Sequence, residues 1–565
     1  MKLLDRRRRL PSLTMACLAA IAITAPGCSG TPSDEKRPRL VLQITIDQLR
    51  PDYISRFEKH LRPDGFRYLI KRGVMFTDAR YKHTSTDTGT GHATLFTGAG
   101  PRGHGIVSNR WYDRVAERAV YTVEDGRHHV LGYQPTPGSG SSPRNLMSST
   151  IGDELVMASA GRSRVFSASI KDRAAILPAG HLGKAFWYSK RNGEFVTSTF
   201  YYAEYPKWLK EWNREKPASR FRDRRWRLTH DRSSYMFGQN DDRGAEIPFL
   251  HLGRTFPHTL NTEDDEQFYT VLRATPFADR LLLEFVKELV AREKLGRKGH
   301  TDFLSISFSA TDYIGHVFGP ASLEAEENFL RVDHTLSDLF EFIDKKVGLG
   351  RTAIVLSSDH GVAEAPEYLA DLGFEGGRLI PRDFIGRVNK TLARRYGNTR
   401  DLIVDFVGPD LVLDEEQIER LGLDVGEVER AAAREVERIP GFAMAVARTD
   451  LLEGTVPSSP VYRRMLESFH SERGGNVRLV PSQGWLLANE PYPTLLTAMH
   501  GSPWVYDSHV PLLIAGPGIK RGVVNRRVAP RDIAPTLAAY LRIRPPSGSE
   551  GRILPDVVPA RPRPM

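Results

Sequence analysis

The sequence predicts an α/β fold with a largely parallel central sheet and helices on both faces. Strand-like runs alternate with helical patterns along the chain, which is typical of parallel strands joined by crossover helices. The strand-like runs are almost continuously apolar, as expected for strands covered on both faces. Several of them end in Asp, Lys or His, at the edge where open α/β sheets bind ligands. We therefore expect one functional site built from strand ends.

The predicted elements follow from hydrophobic patterning. The strand-like runs cover residues 40–46, 164–170, 303–308, 352–358 and 510–515. The clearest helical pattern covers residues 323–347, where Phe329, Val332, Leu336 and Phe340 belong to a wide apolar stripe. Further helices are predicted at residues 415–421, 425–436 and 528–540.

Two stretches interrupt the alternation of strands and helices. Residues 188–278 are rich in Trp, Arg, Tyr and Pro with little periodicity, and residues 364–497 mix short helices with loops. The length of 565 residues exceeds a simple core, so it leaves room for such insertions. We interpret both as insertions that form a cap over the site of a single domain spanning residues 39–554, with a tail at 555–565.

The N-terminus has the pattern of an export signal. Basic residues 6–9 precede an apolar run at 13–23, which is too short to span a bilayer. The sequence Ala25-Pro-Gly-Cys28 then resembles the lipobox of bacterial lipoproteins, although it departs from the commonest pattern and an ordinary signal peptide is the alternative. We expect a signal peptide at residues 1–27, a tether at 28–38, and a periplasmic or cell-envelope protein that is lipid-anchored through Cys28.

Composition excludes two classes of function. The formal net charge is +10, but Lys2 and the four arginines at 6–9, set against Asp5, supply +4 of it. The remaining excess is mild, so no nucleic-acid partner is predicted. The two cysteines are Cys17, in the predicted signal peptide, and Cys28, at its end, so neither an internal disulfide nor a cysteine-based catalytic or metal site is expected in the mature chain.

Asp and His residues near the predicted strand ends indicate a metal site. Carboxylate oxygen and imidazole nitrogen bind zinc at about 2 Å, and manganese or iron fit the same ligands. The candidate ligands are Asp47, Asp312, His316, Asp359, His360 and His500, with His509 as an alternative to His500. The four-residue spacing of Asp312 and His316 brings both within reach of one ion.

The stretch Thr88-Gly-Thr-Gly-His92 is predicted to form a sharp turn, because a Gly-Thr-Gly sequence is a poor start for a helix or a strand. Such a turn exposes the Thr88 hydroxyl and leaves backbone N–H groups free to face an anion.

Together these motifs resemble those of the alkaline phosphatase superfamily, in the branch of type I phosphodiesterases/nucleotide pyrophosphatases and threonine-nucleophile alkaline phosphatases. The resemblance covers about residues 40–554 and is weakest in the two insertions. The motifs that carry it are Asp47-Gln-Leu-Arg-Pro-Asp-Tyr53, Thr88-x-x-x-His92 with Gly98, Gly105-Ile-Val-Ser-Asn109, Asp312-x-x-x-His316, Asp359-His360-Gly361, His500-Gly501 and Asp532-Ile-Ala-Pro-Thr536.

The resemblance implies two zinc ions. One would be held by Asp312, His316 and His500, where His500 is preferred to His509 because His-Gly recurs there in the pyrophosphatase branch. The other would be held by Asp47, Asp359 and His360, with Thr88 reaching both the metal and the phosphorus.

The resemblance also implies a mechanism. Thr88 would attack phosphorus to give a covalent phosphothreonine, which a zinc-bound water would hydrolyse. Asn109 and the backbone N–H after Thr88 would donate to a phosphate oxygen. His92 and His104 are expected to be structural.

Lys171 and Arg173 distinguish a monoesterase from a diesterase. The two cations lie two residues apart, so both can point the same way from an extended segment. Threonine-nucleophile alkaline phosphatases have a Lys-x-Arg here that contacts the phosphoryl group, and the similar diesterases lack it. The prediction is an exported phosphate monoesterase that releases inorganic phosphate from small phosphorylated substrates.

Three other functions are alternatives to a phosphate monoesterase. A phosphodiesterase or nucleotide pyrophosphatase would use the same metals and hold a nucleoside in an aromatic slot, for which Trp187, Tyr188, Tyr201 and Tyr202 are candidates. A sulfatase would need a Cys or Ser where Thr88 stands. A lipid-anchored binding protein with a structural metal site is disfavoured, because such zinc sites are usually closed and cysteine-rich.

Overall fold

The structure is a computed structural model that describes residues 37–134, 140–397, 399–488 and 496–558. The predicted signal peptide and the proposed lipidation site Cys28 lie outside the described residues. Within the described part of the chain, no helix combines the length and apolar character needed to cross a bilayer.

The strands are β1 (Leu40–Ile46), β2 (Val74–Arg80), β3 (Arg110–Asp113), β4 (Arg118–Tyr121), β5 (Val165–Ser169), β6 (Lys184–Tyr188), β7 (Phe195–Val196), β8 (Arg225–Trp226), β9 (His258–Thr259), β10 (Asp302–Phe308), β11 (Thr352–Ser357), β12 (Gly377–Leu379), β13 (Ile403–Val407), β14 (Asp410–Leu413), β15 (Phe442–Ala447), β16 (Val477–Pro481), β17 (Trp485–Leu487), β18 (His509–Ala515) and β19 (Gly522–Val524).

The helices are α1 (Asp52–Arg56), α2 (Phe66–Arg72), α3 (Thr88–Thr97), α4 (Pro101–His104), α5 (Ile151–Ala158), α6 (Asp172–Ala179), α7 (Lys207–Arg214), α8 (Asp265–Leu272), α9 (Pro276–Glu293), α10 (Ala310–Phe318), α11 (Leu323–Lys346), α12 (Pro366–Asp371), α13 (Pro381–Tyr396), α14 (Glu415–Arg420), α15 (Val425–Glu437), α16 (Arg448–Glu453), α17 (Pro460–Ser468), α18 (Val505–Ser508) and α19 (Ile533–Leu541).

A nine-stranded sheet with the order β19-β2-β18-β11-β1-β10-β5-β6-β7 forms the centre of the fold. The five strands from β11 to β6 are parallel, whereas β18 is antiparallel to both of its neighbours. Ile46 lies opposite Phe308, and Thr45 lies opposite Ser357, so β1, β10 and β11 end side by side. The predicted α/β class with a largely parallel sheet is confirmed.

Both faces of this sheet are covered. Successive side chains of a strand point to opposite faces. In β1, Leu40, Leu42 and Ile44 pack in one hydrophobic core with α9 and α11, whereas Val41 packs in a second core with α3, α5 and α19. This alternation explains why the strand sequences are apolar throughout, and it confirms helices on both faces.

Residues 188–278 extend the first of these cores. Trp226 and Leu252 belong to it, and Phe237 donates its backbone N–H to buried Glu326 of α11 at 3.0 Å. Tyr235 donates its hydroxyl to the neighbouring Glu327. This stretch therefore packs against α11, although its sequence has little periodicity.

Residues 364–497 contain a smaller sheet with its own core. Its strand order is β13-β14-β16-β15, and α13 and α15 pack against it. The helices predicted at residues 415–421 and 425–436 correspond to α14 and α15.

Candidate active site

The carboxyl ends of the central strands bring six predicted ligands together in two groups. Asp47, Asp359 and His360 form group one, and Asp312, His316 and His500 form group two. Within each group the three ligand atoms lie within 4.8 Å of one another. The rings of His360 and His500 stack with centroids 3.6 Å apart, so the two groups are adjacent. His509 lies elsewhere, with Nε2 2.9 Å from the carbonyl of Thr77.

Each histidine of the two groups is oriented by a backbone carbonyl. Nδ1 lies 2.8 Å from Ala498 O in His316, 2.9 Å from Gly361 O in His360 and 2.8 Å from Thr86 O in His500. A carbonyl at Nδ1 places the proton there and leaves the Nε2 lone pair facing the group, as in metal-binding histidines. In group two, the Nε2 atoms of His316 and His500 lie 3.2 and 3.5 Å from Asp312 Oδ1.

The buried atoms of group one suit a divalent cation. Asp47 Oδ1 and His360 Nε2 are buried and have no hydrogen-bond partner among the described residues. Burial and the Asp359 carboxylate raise the pKa of Asp47, and burial lowers the pKa of His360 to about 3. Buried, clustered carboxylates are costly without a counter-charge, and together with a neutral imidazole they form the donor set that zinc-like ions bind.

Lys171 supplies positive charge between the groups. Its Nζ lies 2.7 Å from Asp47 Oδ2 and 2.5 Å from Asp312 Oδ2, and its side chain is almost fully buried. Burial opposes the charged form, but these two carboxylates raise the pKa of Lys171 overall, so the ammonium stays protonated.

Thr88 is the first residue of helix α3, and the predicted sharp turn is wrong. The glycines serve close packing instead: a Cβ on Gly91 would lie 2.1 Å from the carbonyl oxygen of Asp359. Helix α3 therefore approaches the end of β11 only because position 91 has no side chain. Its positive N-terminal end lies at Thr88, where an anion is stabilised.

The Thr88 hydroxyl is contacted by both predicted phosphate-binding cations. Lys171 Nζ lies 3.4 Å and an Arg173 guanidinium nitrogen 3.2 Å from Thr88 Oγ1. The expected extended segment is wrong, because Lys171 is the N-cap of α6 and Arg173 lies in its first turn. The two side chains converge because one reaches inward from the cap and the other from the helix.

Asn109 binds the start of α3. Its Oδ1 accepts the backbone N–H of Gly89 at 2.8 Å. This N–H, predicted to donate to phosphate, is therefore already used within the protein. The amide nitrogen Nδ2 of Asn109 is left as the donor on this side of Thr88.

Sequence reasoning missed two residues that support the site, Asp87 and Gln48. Asp87 accepts hydrogen bonds from Ser108 Oγ at 2.5 Å and from the backbone of Asn109 at 3.3 Å. Gln48 contacts a carboxylate of each group. His92, expected to be structural, has Nδ1 2.8 Å from the carbonyl of Thr88 and 3.3 Å from Asp359 Oδ2. The only sequence signal for Asp87 and Gln48 is that each is adjacent to a predicted site residue.

A cavity of about 550 Å³ opens beside these residues. Asp87, Asn109, Arg173 and His500 line one side. Residues 405–409, 481 and 485–487 of the second predicted insertion line the other side, including Phe406 and Trp485. Among the described lining residues, none comes from 188–278, which instead packs on α11.

The aromatic residues considered for a nucleoside slot do not line this cavity. Trp187, Tyr188 and Tyr201 are buried in hydrophobic cores, and Tyr202 packs against them. His104 is also buried, with Nε2 3.1 Å from Thr94 Oγ1, which fits its expected structural role.

The sequence matches the family model of type I phosphodiesterases/nucleotide pyrophosphatases over residues 41–503. It is 34% identical over 532 residues to alkaline phosphatase PhoV of Synechococcus elongatus, covering 93% of this chain and 94% of that protein. It is 32% identical over 524 residues to alkaline phosphatase PafA of Elizabethkingia meningoseptica, covering 92% and 95%.

Solved structures agree with these matches. The crystal structure of wild-type alkaline phosphatase PafA superimposes with a TM-score of 0.84 at 31% identity, covering 92% of this chain and 99% of that one. Murine ectonucleotide pyrophosphatase/phosphodiesterase 5 gives a TM-score of 0.51 at 15% identity, covering 90% and 96%, and shares the fold.

Proposed function

This chain belongs to the type I phosphodiesterase/nucleotide pyrophosphatase family, within the alkaline phosphatase superfamily, and from that premise we propose that it is a metal-dependent phosphate monoesterase. The observation that carries the proposal is the pair of cations at Thr88. A monoester dianion has one more anionic oxygen than a diester, and Lys171 and Arg173 offer charge where that oxygen would lie. The relatives named as alkaline phosphatases support the same choice.

The two groups would hold two metal ions, and their Asp/His donors favour zinc. Metal ions bound there would lower the pKa of a coordinated hydroxyl and would stabilise charge on a leaving oxygen. Lys171 contacts Thr88, Asp47 and Asp312, so the hydroxyl lies beside both groups.

The protein residues would carry out a two-step transfer. Thr88 Oγ attacks phosphorus and gives up its proton to water, the ester P–O bond breaks, and the leaving alkoxide takes the bonding electrons and then a proton from water to become the alcohol. The resulting phosphothreonine is hydrolysed by water, which restores the hydroxyl and releases inorganic phosphate. Arg173 and the amide Nδ2 of Asn109 hold phosphate oxygens during both steps, and the N-terminus of α3 adds positive potential.

The expected substrates are small phosphorylated molecules. A cavity of about 550 Å³ leaves room beyond a phosphate group for a leaving group. Phe406, Val407, Trp485 and Leu486 form an apolar part of its wall, next to Asp405. An apolar surface of this kind suits the uncharged part of a leaving alcohol.

Hydrolysis of p-nitrophenyl phosphate and bis-p-nitrophenyl phosphate by the zinc-reconstituted protein tests this function. We expect the monoester to be preferred, and Thr88→Ala to abolish turnover, while Thr391→Ala on the exposed face of α13 leaves it unchanged. Acid quenching followed by mass spectrometry of the peptide containing Thr88 should detect one added phosphoryl group. Preference for the diester would make the protein a phosphodiesterase, and no turnover with metal bound would refute catalysis.

We also propose that the protein is exported and anchored through Cys28, on the basis of its N-terminal sequence. Metabolic labelling with a fatty acid should mark the envelope fraction of the wild type but not of Cys28→Ala. Equal labelling of both proteins, or of neither, would contradict the anchor.

A further inference from the structure

Gln48 has an unusual backbone conformation at the end of β1. Its φ is +67°, in the left-handed region that residues other than glycine seldom adopt, and the residue is 2% exposed. The backbone N–H of the next residue, Leu49, donates to Ser358 Oγ at 2.9 Å and holds the turn in place. A buried residue kept in this conformation commonly marks a functional constraint.

Gln48 contacts both groups of candidate ligands. Its backbone N–H donates to Asp359 Oδ1 at 3.1 Å, and its side-chain Nε2 donates to Asp312 Oδ1 at 3.0 Å. It is also joined by a peptide bond to Asp47. One residue is therefore linked to two carboxylates of group one and to the only carboxylate of group two.

The oxygen that Gln48 binds in group two is the one that faces the histidines. Asp312 Oδ1 lies 3.2 Å from His316 Nε2 and 3.5 Å from His500 Nε2, whereas Asp312 Oδ2 contacts Lys171. With one hydrogen bond on each oxygen, the carboxylate plane of Asp312 cannot rotate freely. The Gln48 amide thus determines which oxygen is directed toward the group.

Gly315, which lies between Asp312 and His316 on α10, makes room for this amide. A Cβ at position 315 would lie 1.8 Å from Gln48 Oε1, and the three nearest atoms to it all belong to Gln48. The helix and the glutamine side chain are therefore mutually fitted, and the glycine is needed only because the glutamine is there.

We propose that Gln48 is a positioning residue that couples the two metal groups, and that Gly315 is required for this role. The proposal rests on the proposed function, because it assumes that both groups bind metal. Partners that orient metal ligands typically alter metal affinity by about 10- to 100-fold when they are removed.

Gln48→Gly isolates the role of the side chain. Glycine adopts a positive φ readily and keeps the backbone N–H to Asp359, so of the two hydrogen bonds to the metal groups the variant loses only the one to Asp312. We expect the ion of group two to be released at a chelator concentration about 10- to 100-fold lower than in the wild type, and the ion of group one to be less affected.

Gly315→Ala should reproduce this loss by a different route. The new Cβ meets the end of a flexible side chain, so the helix can remain in place while the Gln48 amide is pushed away from Asp312. In the Gln48→Gly background, the side-chain oxygen that the new Cβ would meet is absent. Gly315→Ala should then lower metal affinity no further than Gln48→Gly does alone. Such non-additivity is expected only when two residues act through one contact.

The measurement is metal bound per chain during chelator titration, determined by elemental mass spectrometry, together with the thermal midpoint of the metal-free protein. Gly386→Ala on α13 is the matched control for helical glycine, because nothing lies within 4 Å of its added Cβ. Lys294→Gly is the control for a residue with positive φ outside the site.

Metal affinity like that of the wild type in Gln48→Gly, or additive losses in the double variant, would overturn the proposal. Lower thermal midpoints of the metal-free single variants would also overturn it, since the effect would then be on folding. A wild-type protein that binds no metal would instead refute the proposed function.

Discussion

Truncation of Arg173 should reduce the preference of the enzyme for a phosphate monoester over a phosphate diester. In Arg173→Ala the guanidinium 3.2 Å from Thr88 Oγ1 is lost, while Lys171 remains between its two carboxylates. The substitution therefore removes Arg173, the phosphate-binding cation that is not held between carboxylates of the two metal groups.

The size of the effect follows from charge and distance. Two unit charges about 4 Å apart at an effective dielectric constant of about 20 interact by about 4 kcal/mol. Asp172, which accepts the backbone N–H of Arg173 at 2.7 Å, offsets part of that potential. A net loss of about 2–3 kcal/mol, as for a hydrogen bond to a charged group, lowers kcat/KM for the monoester roughly 30- to 150-fold.

The diester should lose much less, because it lacks the additional anionic oxygen. We expect its kcat/KM to fall by less than about fivefold, which is about 1 kcal/mol. The assay compares p-nitrophenyl phosphate with bis-p-nitrophenyl phosphate at fixed zinc. Arg110→Ala is the matched control, since Arg110 lines the same cavity but is exposed and stacks over Tyr121. Equal losses for both substrates would refute the assignment of Arg173 to the dianion.

Three further predictions test other parts of the structure. Gly91→Ala should lower kcat and the thermal midpoint, since its Cβ would lie 2.1 Å from a backbone carbonyl after β11; unchanged values of both would refute the packing argument. His500→Ala should lose one metal ion per chain by elemental analysis, whereas His509→Ala should keep both; the reverse result would exchange their roles. Burial and the Glu324 carboxylate raise the pKa of Glu246 from 4.5 to about 9, so the folded state keeps a proton that the unfolded state releases, and stability falls as pH rises through this range. Calorimetry should therefore find Glu246→Gln with a higher thermal midpoint than the wild type at pH 9 and a similar one at pH 5, and parallel pH profiles would contradict this.

Local sequence patterns predicted the secondary-structure elements, but they did not predict the conformation where one element is joined to the next. Helix α11 ends within one residue of the predicted 323–347, because a long apolar stripe with 3.6-residue spacing has few alternative conformations. Thr88 was expected in a turn, since Gly-Thr-Gly has poor helix propensity, yet it begins α3. Propensity is weak compared with tertiary packing, and the packing of α3 against the end of β11 requires the glycine at position 91.

The candidate site, like the fold, was predicted from the sequence only in part. The types of ligand could be predicted because Asp and His suit zinc-like ions. Their positions after strands could be predicted because parallel strands end at a common edge of the sheet. The choice between His500 and His509 depended on which ring reaches Asp312, a contact between residues far apart in sequence. For Gln48 the sequence showed only that it follows Asp47, because the two hydrogen bonds that define its role join it to residues 312 and 359.

The sequence by itself determined the α/β class, the positions of the principal strands along the chain and the chemical character of the site, because hydrophobic periodicity and ligand chemistry are local properties. Only the tertiary structure decided that α3 starts at Thr88, that Lys171 lies between Asp47 and Asp312, and that Gly315 makes room for Gln48. These facts depend on distances between segments that the chain brings together only when the sheet is assembled, and no local pattern encodes such distances.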